Sequence, residues 1–392
     1  MRSLPSPRTQ PGVGHLGRWA MDPLALLEEG AELGSVFSLR LWRRTIVGFS
    51  PAWNRLVLGD ITTFRSRGSL SRLSPYLAGG VVQTDAPEHR PRRRQLNPSF
   101  HRRALTGLAP RIAAITRTHL PVGDFEATGW ASALTRELLC AVFFDGAIAT
   151  PALTDFLRPL DSALPGPLLP RPRRFARMNR TLSAAIDQAR APTLGSVFTH
   201  LDNGVEEARV ALSAGYDTTA HTLAWILWHL AENNAWAHPD TLPWLVEEAL
   251  RLYPAGWVGS RVCAVPVTFQ GVTIPVGTLV LYSPYLTHHD PTLWPEAWRF
   301  RPERFAEPLP AWGFIPFAAG QRTCLGMHLA RLILRTVVAE FAGSILTRTG
   351  GDAAPLARIT LAPRGQLQMN RAEGPTATVT THARERATPW AT

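Results

Sequence analysis

Ten residues, Phe317-Ala-Ala-Gly320-Gln-Arg322-Thr-Cys324-Leu-Gly326, set one thiol at the junction of a loop and a helix. A metal–thiolate centre asks four things of such a segment. The sulfur must ionise, which the N-terminus of the following helix favours. Backbone N–H groups must point at it to hold its charge. The main chain must come close to a flat macrocycle, and Gly320 and Gly326 allow that because they lack Cβ. A cation must meet the macrocycle's carboxylates, and Arg322 supplies one. The competing reading is a buried structural cysteine beside a turn. Five fixed residues in ten make a chance match on the order of one in millions per position, so that reading is weak.

Two further segments carry polar groups where an apolar helix needs a reason for them. Glu248-Ala-Leu-Arg251 places an acid and a base at i and i+3 on one helical face, where they can pair. Most such pairs are solvated and contribute little. Ala214-Gly215-Tyr216-Asp217-Thr218-Thr219 lies inside a long apolar run. Its acid and alcohol must be satisfied somewhere. The modest account is threonine bonding back to the i−4 carbonyl and bending the helix.

Together these segments resemble the cytochrome P450 family, over roughly residues 20 to 370. The cysteine decapeptide is similar to the family's haem-binding loop, which makes Cys324 the iron ligand and Phe317, Gly320, Arg322 and Gly326 its haem-side companions. Glu248, Arg251 and the downstream Arg304 of Phe300-Arg-Pro-Glu-Arg304-Phe305 match the family's buried structural network. Asp217 and Thr218 match the acid–alcohol pair that delivers protons to dioxygen above the ring, with Asp217 leading to solvent and Gly215 leaving room. His89 and Arg93 match an H-x-x-x-R pattern, and Arg261 a further partner for the haem propionates. Arg93 is flanked by Arg92 and Arg94, so arginine abundance is the plain alternative. The resemblance implies a mainly α fold with a small β lobe and haem b (iron protoporphyrin IX). It also implies O2 as co-substrate, with electrons from a ferredoxin and a ferredoxin reductase. Arg102, Arg103, Arg331 and Arg335 are read as the docking face for that donor.

The stretches Asp22-Pro-Leu-Ala-Leu-Leu-Glu-Glu, Leu250-Arg-Leu-Tyr-Pro-Ala-Gly-Trp257 and Thr278-Leu-Val-Leu-Tyr-Ser-Pro-Tyr-Leu-Thr are similar to the compact bacterial members that hydroxylate carotenoid ionone rings. A stretch before Gly204 reads as shortened, which puts the usual lid helices in doubt and leaves a wider mouth. Leu70, Leu77, Tyr216, Gly256, Trp257 and Val258 are expected in the pocket wall. That wall is apolar, with no obvious charged anchor, and suits a large apolar substrate. A carotenoid or other terpenoid is the first expectation and a fatty acid the second.

These residues need elements to hold them. Asp22-Pro23 and Ser50-Pro51 each read as an N-cap followed by proline in the first turn. Val36–Leu41 and Thr45–Phe49 read as a hairpin. Asp85-Ala86-Pro87 opens a basic helix in which Pro91 should introduce a kink. One long helix covers about 204–231, a second about 241–253, ending before Pro254. Residues 262–283 read as strands and 284–323 mostly as loop, before a helix over 325–341. The chain thus divides into an extended arm over 1–20, a catalytic domain over 21–370 and a tail over 371–392.

Composition agrees with an enzyme. The 392 residues are 45% hydrophobic and 18% charged, with a net charge of +11. All 41 basic residues are arginine, which fits a GC-rich coding bias, and no nucleic-acid-binding motif accompanies the charge. Three scattered cysteines suit a reducing cytoplasm, not a disulfide framework. Met1–Gly17 has no apolar signal core and no run reads as a transmembrane anchor, although peripheral membrane contact stays open. A peroxide-driven haem enzyme, or a haem carrier or sensor without turnover, would need no acid–alcohol pair, so Asp217-Thr218 argues for a monooxygenase.

Overall fold

Proline and small polar residues fix where the helices begin. Asp22 accepts a hydrogen bond from the Ala25 amide at 3.1 Å, and Ser50 accepts one from Trp53 at 3.2 Å. Each therefore caps the helix that the following proline opens, Pro23–Glu32 and Pro51–Gly59. Ser283 repeats the arrangement ahead of a short helix, Pro284–His289, inside the stretch read as loop. The basic helix starts at His89 and not at Asp85. Pro91 therefore falls in its first turn, where an amide has no intrahelical partner, and no kink is needed.

The computed structural model describes residues 4–69, 75–161 and 171–374. The architecture is mainly helical with a small β lobe. The Gly204–Leu230 helix runs through the middle and is buried around most of its circumference. It packs against the helices Ala127–Phe144, Pro172–Gln188 and Met327–Ala339. Helices Thr150–Leu157 and Pro172–Gln188 occupy the stretch in which lid helices were in doubt.

A five-stranded sheet orders its strands Val36–Arg40, Arg44–Gly48, Leu279–Tyr282, Gly259–Cys263 and Phe64–Arg65. Only the second and third of these run parallel; the other pairings are antiparallel. The N-terminal segment lies along its edge: Ser38 donates to Pro5 O and His15 to Arg40 O, both at 2.8 Å. That segment ends in a helix, Leu16–Met21, where the sequence reads as extended arm. A second sheet joins Gly123–Glu126, Gln368–Glu373 and Ser344–Gly350. Its middle strand carries ordered chain to Glu373, past the boundary read at 370; residues 375–392 lie outside the described residues. No described helix is long and apolar enough to cross a membrane.

Candidate active site

The fold encloses one large cavity of about 980 Å³ between the central helix and the Cys324 loop. Cys324, Phe317, Gly326, His89, Arg93, Arg261, Arg322, Gly215 and Thr218 all line it, although they lie as much as 237 positions apart (from 89 to 326). Leu77, Gly256, Trp257 and Val258 line it as well, while Leu70 lies outside the described residues.

Cys324 is the cysteine that opens onto the cavity; Cys140 and Cys263 are buried elsewhere. Its amide donates to Phe317 O at 2.9 Å, which folds the loop back on itself. The thiol faces open space yet sits deep in the protein. Burial raises its pKa, while the Gly326 amide and the charges of Arg93 and Arg331 pull it down. A bound metal ion outweighs such a desolvation cost by deprotonating the thiol directly. A Cβ on Gly326 would meet nothing within 4 Å, so the wall there is open for a flat ligand. Gly320 differs from expectation. It is not part of the cavity wall, its φ is +68°, and a Cβ there would stand 2.3 Å from Leu58 O. Its missing side chain lets the loop dock on the Pro51–Gly59 helix. Gly215 does line the cavity, but its Cβ direction points at Leu139, 3.3 Å away.

At one edge of the cavity four nitrogen-bearing side chains converge. Arg322 pairs with Asp85 at 2.7 Å and donates to Thr84 O at 2.7 Å. Arg93 donates to Thr323 O at 2.9 Å. Arg261 donates to Ser260 O at 2.7 Å, its guanidinium over the Tyr282 ring. His89 is buried, and desolvation together with Arg322, Arg93 and Arg261 lowers its pKa to about 4. It is therefore a neutral N–H donor near neutral pH. Of these three cations only Arg322 is paired with a carboxylate, Asp85, among the described residues. That surplus fits a ligand edge bearing two negative groups, as the haem propionates would supply.

On the facing wall Thr218 donates to Ala214 O at 2.7 Å and Thr222 to Thr218 O at 2.8 Å. The i−4 bond expected of an interior threonine is present, and Thr218 still lines the cavity. Asp217 turns away. Its carboxylate accepts from Thr360 Oγ1 and lies 3.4 Å from His221 Nε2, and His221 Nδ1 is 3.2 Å from Thr360 Oγ1. It is buried among these partners, so no direct path to solvent opens from it. His221 and Thr360 are the residues that the motif alone could not name. Tyr216 is also a correction. Its ring is core, with its hydroxyl between Asp161, at 2.7 Å, and Arg136, so it is no part of the pocket wall. Helical rotation separates it by about 100° from Gly215 and about 160° from Thr218.

Below the cavity Glu248 and Arg251 are wholly buried. All five guanidinium N–H groups of Arg251 are used: Glu248 takes two, and the carbonyls of His288, Ala297 and Arg299 take the rest. Arg304 adds a contact to Glu248 at 3.1 Å and holds the carbonyls of Pro295, Glu296 and Arg299. Arg331 and Arg335 are not free for a partner, since both are bonded to Glu247. Arg102 and Arg103 are exposed.

Residues 240–342 match the family model for cytochrome P450. The chain is similar to cyclooctat-9-en-7-ol 5-monooxygenase of Streptomyces melanosporofaciens, at 27% identity over 86% of this chain and 88% of that one. Its fold is similar to that of CYP175A1 from Thermus thermophillus, with a TM-score of 0.77 and 27% identity over 92% of this chain and 97% of that one. It is also similar in fold to cyanobacterial CYP120A1 with retinoic acid bound, with a TM-score of 0.81 and 22% identity over 95% of this chain and all of the other.

Proposed function

The chain belongs to the cytochrome P450 family of haem-iron monooxygenases, and on that premise we propose that it hydroxylates an unactivated C–H bond on the ring of a long isoprenoid such as a carotenoid. Members of the family consume O2 with electrons from a redox partner and act on apolar substrates. The observation that carries the proposal is the cavity itself. One apolar space of about 980 Å³ has a thiol on one wall, a threonine on the other and cations at its edge. The similar Streptomyces enzyme is named for a terpenoid alcohol, which favours an isoprenoid over a fatty acid.

In this reading Cys324 would hold the iron of haem b, and His89, Arg93, Arg261 and Arg322 would meet its propionates. When bound, the group would supply oxygen activation, to which a thiolate lends electron density. The chain's own part is to orient the substrate, exclude water and move protons. Thr218 gives its one proton to Ala214 O, so it faces the cavity as an acceptor. Asp217, held by His221 and Thr360, is the acid of the acid–alcohol pair. A ferredoxin, supplied by its reductase in the cytoplasm, docks near the exposed Arg102 and Arg103.

Thr218→Ala is expected to keep haem and substrate binding while diverting at least half of the reducing equivalents to peroxide. Counting product and peroxide against reductant consumed checks this, and unchanged coupling removes Thr218 from proton delivery. The substrate test is reconstituted turnover of a carotenoid and a fatty acid in parallel, read by mass spectrometry. Ring-hydroxylated carotenoid is the expected product. A hydroxylated fatty acid beside untouched carotenoid overturns the isoprenoid assignment and leaves the monooxygenase in place.

A further inference from the structure

One cation in the cavity wall has no carboxylate or carbonyl partner among the described residues. Among the charged side chains there, His89, Arg93, Arg261 and Arg322 form the cluster fitted to the propionates, and Glu207 is bound by the Val81 amide and Asn203, with Arg92 3.9 Å away. Arg171 is exposed at the rim. Arg358 is only partly accessible, its Nε is buried, and no carboxylate or carbonyl among the described residues meets its guanidinium. Its main chain, by contrast, is pinned. Arg358 N–H donates to Thr360 O at 3.1 Å, Trp257 Nε1 donates to Arg358 O at 3.0 Å, and Thr360 is held by Asp217. The tip of the Pro355–Ala357/Leu361–Pro363 hairpin is thus fixed against Trp257 and the central helix. The strongest charges acting on both His89 and Arg322 are those of Arg93, Arg261 and Asp85, and Arg322 also acts on His89, so Arg358 stands apart from their cluster.

A guanidinium whose Nε is buried without an acceptor is costly unless something meets it. Its planar fork suits a carboxylate above other groups. We propose that Arg358 anchors a carboxylate of the substrate, so that isoprenoids with an acid end are bound in preference to neutral ones. The inference rests on the isoprenoid reading and adds to it a preference for members with an acid end.

The test is titration of the ferric holoenzyme, followed by the Soret shift, with retinoic acid, methyl retinoate, palmitic acid and methyl palmitate. Wild type is expected to bind retinoic acid about tenfold to a hundredfold more tightly than its ester, the range for losing a charge-assisted hydrogen bond. Arg358→Ala should erase that preference without changing ester affinity or haem content, and Arg358→Lys should restore part of it. Equal binding of acid and ester by wild type, equal weakening of both by Arg358→Ala, or loss of haem in that variant each overturns the anchor. An Arg358-dependent preference seen only with the palmitate pair keeps the anchor and overturns the isoprenoid reading. Binding of neither pair overturns both.

Discussion

Arg251→Ala is expected to lower the unfolding free energy by about 3–5 kcal/mol and to leave little haem-loaded protein. The cost comes from what stays behind. Glu248 keeps only Arg304 and the Arg301 amide as partners among the described residues, and it is wholly buried. The carbonyls of His288 and Ala297 lose their guanidinium donor. Whole domains hold only about 5–15 kcal/mol, so the loss is a large fraction of the total. The same carbonyls belong to the segment that leads to the cysteine loop, which is why haem retention should fail together with stability. Arg251→Lys should fall between, since an ammonium cannot span Glu248 and three carbonyls at once. Urea unfolding by circular dichroism and haem content per chain measure both effects. A soluble, haem-loaded Arg251→Ala protein with an unshifted midpoint would show the network to be dispensable.

Cys324→Ala should abolish the far-shifted Soret band of the ferrous carbonyl form and reduce turnover below detection. The cavity then has no thiol in its wall, and the electron density that favours O–O cleavage is gone. Cys140→Ala and Cys263→Ala should retain the band. Burial pushes the Cys140 thiol up to about 11, and the Cys263 thiol donates to Val265 O at 2.8 Å, just beyond the end of its own strand. A Cys324→Ala protein that keeps the shifted band refutes the ligand assignment, whatever its activity.

Much of the frame was legible because its causes are local. A capping side chain reaches three residues ahead, and proline dictates its own backbone, so Asp22-Pro23 and Ser50-Pro51 announced their helices. The hairpin of Val36–Arg40 and Arg44–Gly48 followed from alternation over a few residues. The start of the basic helix was misplaced by four residues, and with it the kink at Pro91, because Asp85 is not a helix cap. Its carboxylate is taken by the amides of Ser66 and Arg67 and by Arg322. Partners some 20 and 237 positions away decided that, and neither is visible in a local window.

The candidate site divides along the same line. The sequence by itself determined which residue types must meet: a thiol at a loop–helix junction, an acid–alcohol pair in an apolar helix, and Glu248 with Arg251 three residues on. Those are patterns of chemistry and spacing along one element, and periodicity carries them. Only the tertiary structure decided what each side chain faces. It turned Tyr216 into the core and Asp217 towards Thr360, 143 positions on. It set Gly320 against Leu58 instead of the macrocycle, and it left Arg358 in the cavity wall without a partner among the described residues. The physical reason is that a helix or turn fixes directions relative to its own axis, whereas burial and charge pairing depend on which distant segment packs against that face.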